Sequence, residues 1–401
     1  MTRGDSVLWV VMIILSIISL IEVYTAIGKA AYDHDWSVTS TVLKHIGIVL
    51  LSYIAMVAVS RLKLRVFEKL APLGNAMCVV LLLLVFVVYF YGKFSGGSTD
   101  GHAAQRWLNI PVIGQFQPSE IAKYVLIIYL ASRISKFRDT LGELDTFKKL
   151  ILPVILVSGL IFPENFSTSA LVFLSCVILM YVGGVNRKYL GITILIVIGV
   201  VSVFLIAAFV FKIEFFRAGT WVNRITDWLN NDKEAFTQTN QAKIAIASGG
   251  FTGRGIGNTI QGRFLNESHT DFIYSVIVEE MGTLMGIFVI FLYLVFFLRC
   301  LSISRNCSSM FGQLTVAGLG IIIAMQAFIN MGVAVGYLPV TGQTLPLISY
   351  GGTSYLFTCC AIGVILAVSH KNKLEAIEAN NTAEKKDNNN DENNTDNESN
   401  N

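Results

Sequence analysis

Charge is what this sequence has least of. Only 14% of its 401 residues are Asp, Glu, Lys or Arg, whereas about a quarter of the residues in an ordinary globular domain are charged. Hydrophobic residues make up 54%, and the mean hydropathy is +0.62. The composition therefore excludes a typical soluble domain and predicts an integral membrane protein. The basic residues behind the net charge of +3 are not gathered in one cluster, so nucleic acid is not a predicted partner.

The sequence also lacks the short motifs of several enzyme classes. It has no HExxH, GxSxG or Walker pattern, which disfavours a metalloprotease, a serine hydrolase and an ATPase. Its six cysteines lie in or beside apolar runs and form no CxxC pair, so neither a zinc site nor a disulfide framework is indicated. We interpret them as small buried hydrophobic residues.

Ten apolar runs have the length of membrane-spanning helices, which need about 20 residues to cross a hydrocarbon core of about 30 Å. The first run is too long for the core of a signal peptide, and we interpret it as a retained span. The fifth is short and holds two prolines, which favours a tilted or broken helix. The predicted fold is an all-α integral membrane bundle of about ten helices. The runs cover residues 7–28, 40–60, 72–92, 119–134, 149–163, 167–184, 189–211, 272–298, 312–336 and 352–369.

The distribution of basic residues predicts the orientation of the chain. Lys and Arg crowd the loops on one side and are few in the short loops on the other, so the positive-inside rule places both termini in the cytoplasm. A large outer loop, residues 213–271, follows the seventh span and has the spacing of short amphipathic helices. We predict one membrane domain over residues 1–370. The polar, Asn-rich segment 371–401 is expected to be a disordered cytoplasmic tail.

Ionisable residues inside spans are costly and mark functional sites or structural pairs. Nearly all of them fall toward the predicted outer ends of the spans. For Glu22 and Lys44 we expect an ion pair between helices. Glu279 and Glu280 are about 100° apart around a helix, so we expect one of them to have a structural role. Asp271 stands at the mouth of the eighth span, where it is either an N-cap or a catalytic acid.

Two segments rich in Gly or Pro interrupt the helical pattern. GGFTGRGIGNTIQG, residues 249–262, follows no parallel strand, so a dinucleotide-binding fingerprint is nearly excluded. Its backbone, with Arg254 beside it, is suited to a close approach to phosphate. YLPVTGQTLPLISYGGTS, residues 337–354, holds two prolines and the paired glycines Gly351 and Gly352. It is typical of a re-entrant turn buried in protein.

Five longer motifs together resemble the SEDS family, the shape, elongation, division and sporulation proteins. They occur in order across spans four to ten. The PVTGQTLPLIS wording and the compact length resemble the division branch more than the elongation branch. The motifs are RWLNIPVIGQFQPSEIAK (106–123), PENFSTSAL (163–171), SGGFTGRGIG (248–257), SHTDFIYSVIVEEMG (268–282) and GYLPVTGQTLPLISYGGTS (336–354).

The resemblance implies a peptidoglycan glycosyltransferase of the bacterial cytoplasmic (inner) membrane, working at the division septum. The implied substrate is lipid II, a disaccharide-pentapeptide on undecaprenyl pyrophosphate, which such enzymes polymerise at the outer face of the membrane. The implied partners are a class B penicillin-binding protein, which supplies the cross-linking, and other division proteins.

The resemblance also implies a set of site residues. The essential acid is Asp271, in the HTDF motif. Gln115 stands where some relatives have an arginine; if that arginine holds pyrophosphate, another basic residue has the role here. The substrate-binding set comprises Arg106, Trp107, Gln117, Ser119, Glu120, Lys123, Arg254, His269, Thr270, Ser349, Gly351 and Gly352.

The implied reaction needs a base for a sugar hydroxyl and positive charge for a pyrophosphate leaving group. We expect Asp271 to be the general base and Arg106, Lys123 and Arg254 to clamp the pyrophosphate. Glu120 lies three residues before Lys123, on the same helix face, and is expected to orient it. Whether a divalent cation, Mg²⁺ or Mn²⁺, shares this role is left open. The product would be a β-1,4 link of inverted configuration.

Two other functions fit parts of the pattern. Many spans and interrupted helices are typical of transporters, so a lipid II flippase is one alternative. A scaffold that positions a separate transpeptidase is another. The gathering of charges toward one face, rather than at the midplane, favours chemistry at that face.

Overall fold

The computed structural model describes residues 4–33, 37–94, 108–110, 114–211, 218–230, 238–261, 265 and 268–398. Within these ranges the chain is almost entirely helical, which confirms the predicted all-α membrane class. The one addition is a short antiparallel pair of strands, in which Leu108 faces Phe116. The elements are α1 Ser6–Asp33, α2 Val38–Ser60, α3 Leu64–Phe94, β1 Leu108–Ile110, β2 Gly114–Phe116, α4 Pro118–Lys136, α5 Leu144–Ile161, α6 Phe166–Val182, α7 Arg187–Phe211, α8 Ala218–Asn230, α9 Gln238–Gly249, α10 Ile273–Arg305, α11 Met310–Ala334 and α12 Gly352–Glu398.

Each of the ten predicted spans coincides with one helix: α1 to α7 and α10 to α12. Within the described residues, seven of these helices are long and apolar enough to cross a membrane. The three others, α4, α5 and α6, are shorter or less apolar, so the count of ten spans stays a prediction. α5 is a single helix that passes through Pro153, not a broken one, and it begins five residues before the predicted span.

The core lies around α11, which packs against α4, α6, α10 and α12. α11 is buried along most of its length, whereas α7 is exposed along almost all of its length. A helix as apolar as α7 that is exposed to its surroundings is suited to contact with lipid. The elements that form the site described below all meet at one end of this core.

The opposite end of the bundle holds both ends of the membrane domain. The Lys373 ammonium donates to the Gly4 carbonyl over 2.6 Å, and Arg299 pairs with Asp5 at 2.7 Å. The first and last residues of the membrane domain therefore lie at the same end of the bundle, as the prediction of both termini on one side of the membrane requires. Which side of a membrane this end faces stays a prediction.

The predicted outer loop and the predicted tail both contain helices. The segment from 213 to 271 contains α8 and α9, in keeping with the short amphipathic helices that its spacing predicts, and α9 packs along α10 and α11; its place outside the membrane stays a prediction. The predicted tail is helical as far as Glu398 because α12 continues through it. An established helix adds one hydrogen bond for each residue that it gains, and the ion pair of Lys371 with Glu375 at i,i+4 supports the first added turn. The domain boundary at residue 370 stays a prediction.

Candidate active site

Asp271 lies at the end of the bundle where α10 begins. The N-cap residue of α10 is Phe272, which makes no side-chain capping hydrogen bond, so the interpretation of Asp271 as the N-cap is wrong. Phe272 and Ile273 are fully buried, whereas Asp271 is partly exposed. The buried neighbours anchor the backbone, and the carboxyl group stands at the boundary of the packed bundle.

Asn330 of α11 fixes the backbone at Asp271. Its side-chain amide donates to the carbonyl oxygen of Asp271 over 2.8 Å and to that of Gln343 over 2.7 Å. Asn330 is 1% exposed, so these bonds form in a setting where an unpaired amide would be costly. One buried side chain thus joins the start of α10 to the connection between α11 and α12, residues 335–351.

This α11–α12 connection is non-helical, as predicted. Its second half, from Gln343 to Ser349, is mostly buried, whereas Val335, Tyr337 and Leu338 in its first half are exposed. Ser349 donates to the carbonyl of Thr270 and accepts from the amide of Leu345. The Tyr350 amide donates to the carbonyl of His269 over 2.9 Å. The connection therefore holds the carbonyls of His269 and Thr270, and Asn330 of α11 holds the next one, that of Asp271.

The connection contains backbone strain. Leu347 is the one non-glycine residue with a positive φ, 65°, among the described residues, and it is 2% exposed. A leucine in this conformation costs about 1–2 kcal/mol and persists only where the surroundings over-determine it. Such strain is concentrated at functional sites.

Lys123 and Glu120 form the buried pair that their spacing predicts. The Lys123 ammonium is 2.7 Å from the Glu120 carboxylate and 2.7 Å from the side-chain oxygen of Gln326. The amide of Gln326 in turn donates to the carbonyl of Thr344 over 2.9 Å. Gln326 and Asn330 are four residues apart on α11, so Lys123 and Asp271 are tied to neighbouring turns about 6 Å apart along that helix.

Arg224 of α8 lies close to Asp271. A Cβ atom on Gly342 would stand 3.6 Å from an Asp271 carboxylate oxygen and 3.9 Å from a terminal guanidinium nitrogen of Arg224. The two side chains therefore approach the same point, which Gly342 leaves open. The same guanidinium nitrogen donates to the carbonyl of Val340 over 3.2 Å. A cation beside the acid is thus built into the fold.

Arg254, in the glycine-rich segment, lies beside α10 and farther from the start of that helix than Asp271 does. Its backbone amide donates to the carbonyl of Glu279 over 3.0 Å, and its side chain donates to the carbonyl of Ser248 over 3.2 Å. Glu279 is eight residues beyond Asp271, or roughly 12 Å along a helix. The structure therefore places the backbone of Arg254 about two helical turns from Asp271, and its expected role at the pyrophosphate stays a prediction.

Glu279 and Glu280 both hold the glycine-rich segment. The Glu279 carboxylate accepts from the hydroxyl of Thr259 over 2.6 Å and from the amides of Ile260 and Gln261 over 2.9 Å each. Glu280 accepts from the amide of Gly257 over 3.0 Å. The structural role expected for one of these acids therefore belongs to both.

The expected ion pair of Glu22 with Lys44 is wrong. Glu22 is fully buried in α1, and neither of its carboxylate oxygens has a hydrogen-bond partner within the described part of the chain. Lys44 is exposed. Its neighbour His45 faces α1 instead, with a ring nitrogen 3.0 Å from the hydroxyl of Ser19. Adjacent residues point about 100° apart on a helix, so only one of the two could face α1.

The remaining predicted residues have different positions. Gln117 and Ser119 are buried at the start of α4. Gly351 precedes α12, near Thr344 and Ser354, and Gly352 is its first residue. Arg106 and Trp107 lie outside the described residues. Gln115 is in β2, opposite Asn109.

The turn between α5 and α6 forms another edge of the site. Thr168, in the first turn of α6, accepts a hydrogen bond of 2.6 Å from the amide of Gln343. Asn165 caps α6 by accepting from the Thr168 amide. Glu164, 4% exposed, has no hydrogen-bond partner within the described residues, and burial raises its pKa to about 8.

Solved structures share this fold. A chain from the structure described as "Structural coordination of polymerization and crosslinking by a peptidoglycan synthase complex" matches with a TM-score of 0.71 and 22% identity, over 92% of this chain and 98% of that chain. The rod shape determining protein RodA of Thermus thermophilus matches with a TM-score of 0.63 and 22% identity, over 91% and 96%. At this level of identity the likeness concerns the fold.

A family model decides the relationship. The Cell cycle protein family FTSW_RODA_SPOVE matches residues 5–374. The chain belongs to this family. The resemblance to the SEDS proteins is thereby confirmed.

Curated relatives of the chain carry two different names, MrdB and FtsW. The peptidoglycan glycosyltransferase MrdB of Escherichia coli K12 is 32% identical over 341 residues, which cover 82% of this chain and 86% of MrdB. The "Probable peptidoglycan glycosyltransferase FtsW" of Lactococcus lactis is 32% identical over 390 residues, covering 90% and 91%. Equal identity does not separate the branches, so the predicted closeness to FtsW, the division branch, stays a prediction.

Several residues of the site were not predicted from the sequence. Gln326 and Asn330 are polar residues four apart in an apolar span, a rare pattern that marks function or structure, and it would have revealed them. Arg224 and Lys243 had no such signal because they are two of several basic residues in a long polar segment. Only the folding of α8 against the α11–α12 connection distinguishes Arg224.

Proposed function

We propose that this chain is a peptidoglycan glycosyltransferase that polymerises lipid II at the outer face of the cytoplasmic membrane during cell division, with Asp271 as the general base. Membership of the FTSW_RODA_SPOVE family supports the activity, as do relatives named peptidoglycan glycosyltransferases over most of their length. The observation that carries the assignment of the base is the position of Asp271. It is partly exposed, its backbone is fixed by Asn330, and Arg224 is beside it.

The substrate explains why an acid stands at the mouth of an apolar helix. Lipid II has its polyprenyl chain in the bilayer and its sugars in water. The reacting carbon is bonded to the pyrophosphate that joins the two parts, so the base must lie at the boundary between them. Asp271 precedes the apolar residues of α10 by one turn or less, which suits this position.

The proposed reaction is a single displacement. The acceptor sugar hydroxyl attacks the anomeric carbon of the donor as Asp271 accepts its proton. The bond from that carbon to the pyrophosphate oxygen breaks, and the electron pair leaves with the pyrophosphate. This leaving group needs its charge stabilised more than it needs a proton. One displacement inverts the configuration and gives a β-1,4 link.

The predicted substrate-binding residues have different roles in this proposal: some hold the backbone of the site and others supply charge. His269, Thr270 and Ser349 hold the backbone around Asp271. Lys123 contributes positive charge beneath the site, partly offset by Glu120. We retain Arg106 and Trp107 in the set on resemblance. Arg254, whose amide and Nε donate to the carbonyls of Glu279 and Ser248, is better suited to fixing the glycine-rich segment than to contacting the reacting group.

A divalent cation fits this site only if the phosphates of the substrate supply most of its ligands. Among the described residues, no three His, Cys, Asp or Glu side chains come together to hold a metal ion. Mg²⁺ in phosphate chemistry is often held by one or two carboxylates together with the phosphates themselves. Asp271 is the carboxylate that would take part in such an arrangement, in which the ion would neutralise charge on the pyrophosphate.

The partners and the place of action follow from the same proposal. A class B penicillin-binding protein would cross-link the strands that this chain makes, together with other division proteins at the septum. Depletion of the protein from growing cells tests the division role. Filaments are expected, and rounded cells would assign the chain to elongation instead.

The activity is tested with purified protein and lipid II in detergent. Asp271→Asn keeps the size of the side chain and the backbone bond to Asn330, yet removes the base. We expect glycan strands from the wild type and a 10²–10⁴-fold lower rate from the variant. Asp145→Asn, at an exposed acid, is the matched control and should retain activity. A wild type that moves lipid II across vesicles without forming strands would point to a flippase instead.

A further inference from the structure

A small cleft opens between α8, α9 and the α11–α12 connection. Its volume is about 260 Å³, and its charged lining residues are Arg224, Asp227 and Lys243. Trp228 and Val340 form part of its walls. None of these five residues belongs to the site set that the sequence predicts, although Arg224 reaches the neighbourhood of Asp271.

Arg224 is held in a defined orientation. Its guanidinium donates to the carbonyl of Val340 and lies over the ring of Trp221 at 5.3 Å. Trp221 is itself packed against Phe166, with 4.7 Å between the ring centroids. An arginine fixed on one side by a carbonyl and on one face by an aromatic ring loses little further freedom when it binds an anion.

Lys243 reaches the same cleft across Gly336. A Cβ atom on Gly336 would stand 2.1 Å from the Lys243 Cε and 3.0 Å from its ammonium. A side chain at position 336 would therefore displace the lysine from its present path across the backbone. The indole of Trp228 donates to the carbonyl of Gly336 over 3.2 Å, which fixes the crossing point from the α8 side.

The size and charge of the cleft indicate the class of ligand. With two cations and one carboxylate, the charged lining has a net charge of +1. Its volume is below the roughly 300–1,000 Å³ typical of sites for drug-sized molecules, so a disaccharide-peptide does not fit. A guanidinium and an ammonium together are suited to phosphate oxygens.

We propose that the α8–α9 cleft binds the pyrophosphate of the donor substrate, with Arg224 as its principal contact and Lys243 as its second. This inference rests on the proposed glycosyltransferase function. In a single displacement the base and the leaving group flank the anomeric carbon, and Asp271 and Arg224 flank the open point beside Gly342 in the same way. Arg224 and Lys243 of the cleft would supply the positive charge for the pyrophosphate, a role that the sequence leads us to expect of Arg254.

Binding of inorganic pyrophosphate to the purified full chain tests the inference without requiring turnover. Binding is measured by calorimetry at constant ionic strength, with sulfate as the competing salt. Arg224→Ala is expected to weaken binding at least 10-fold and Lys243→Ala several-fold. Asp227→Asn removes the one carboxylate and is expected to tighten binding several-fold. Asp145→Asn, at an exposed acid outside the lining of the cleft, should leave binding unchanged.

The outcomes separate this inference from the proposed function. Undiminished pyrophosphate binding in Arg224→Ala overturns the cleft assignment, even if the protein polymerises lipid II. If Arg224→Ala does not fold, unaltered affinity in Asp227→Asn overturns it in the same way. Binding that depends on Arg224 in a protein without polymerase activity supports the cleft and contradicts the enzyme. An acetylated D-Ala-D-Ala peptide that displaces pyrophosphate from the cleft would assign it to the stem peptide instead.

Discussion

The ammonium of Lys123 is fully buried and lies 2.7 Å from the carboxylate of Glu120. Its second partner, Gln326, is bonded to the α11–α12 connection that carries Ser349 and Tyr350 to the HTDF backbone. Charge inside the bundle is therefore coupled to the shape of the site. A buried pair of this kind is costly to break but often inexpensive to replace as a whole.

Replacing one member of this pair is expected to destabilise the protein. Lys123→Met leaves the Glu120 charge buried without its partner, at a cost of about 3–5 kcal/mol. The double variant Lys123→Met/Glu120→Gln removes both charges and should regain much of that stability. Thermal unfolding in detergent measures both effects. If Lys123 also acts on substrate, the double variant will be stable but slow. Full polymerase activity in a stable double variant would contradict a substrate role for Lys123.

Gly282 is expected to be irreplaceable for a backbone reason. Its φ is +84°, and an added Cβ would stand 2.4 Å from the carbonyl oxygen of Phe251 and 2.5 Å from the amide nitrogen of Gly253. Gly282→Ala should therefore separate the glycine-rich segment from α10. Limited proteolysis at residues 249–261 is the measurement, and faster cleavage is expected.

Gly257 offers a matched control for that experiment. Its φ is +82°, but nothing lies within 4 Å of an added Cβ. Gly257→Ala should cost only the conformational strain, about 1–2 kcal/mol, and should leave the segment attached. Equal proteolysis of the two variants would show that strain, and not close approach to α10, explains the glycines.

Periodicity and hydropathy predicted the positions of ten helices because a bilayer demands long apolar runs whatever the tertiary fold. The pairing of Glu120 with Lys123 was predictable for a similar reason, since a three-residue spacing on a helix is local geometry. That Lys44 does not pair with Glu22 was not predictable. Which face of α2 turns toward α1 depends on tertiary packing, and it brought His45 inward in place of Lys44.

The site was predictable only in part, and the limit is again one of distance along the chain. Asp271 stands out as an acid at a helix mouth, and its motif resembles the family's. Its supports come from far away: Asn330 is 59 residues away, and Ser349 bonds to a carbonyl 79 residues away. Arg224 reaches Asp271 only because α8 folds onto Val340. No local pattern contains such contacts.

Asn330 is expected to be a positioning residue for Asp271. Asn330→Leu removes two hydrogen bonds to backbone carbonyls in a buried setting, at about 1–3 kcal/mol for the unsatisfied groups. A misplacement of the base by about 1 Å is enough to lower turnover about 100-fold. We expect kcat for lipid II polymerisation to fall more than KM rises, since substrate contacts are retained.

The control for Asn330 lies on the same helix. Thr315 of α11 is fully buried, and its hydroxyl has no hydrogen-bond partner within the described residues. Thr315→Val keeps its shape and should leave turnover and stability near those of the wild type. If both variants lose turnover equally, general loosening of α11 explains the effect and the positioning role is wrong.

Glu164 makes the stability of the fold depend on pH. Burial in the α5–α6 turn raises its pKa to about 8 from an ordinary value near 4.5. Between these values the folded state holds a proton that the unfolded state has lost, so the stabilisation is complete below about pH 4.5 and is lost as pH rises through about 8. The free energy of unfolding should fall by an amount on the order of 4 kcal/mol between pH 5 and pH 8.

Glu164→Gln is neutral at every pH, so its unfolding temperature should vary much less over this range and exceed that of the wild type at pH 8. Glu378→Gln, in the helical extension of α12, controls for the loss of a carboxyl group elsewhere and should keep the wild-type slope. An unchanged slope in Glu164→Gln would mean that water or a cation reaches this carboxylate and that it is already ionised at neutral pH.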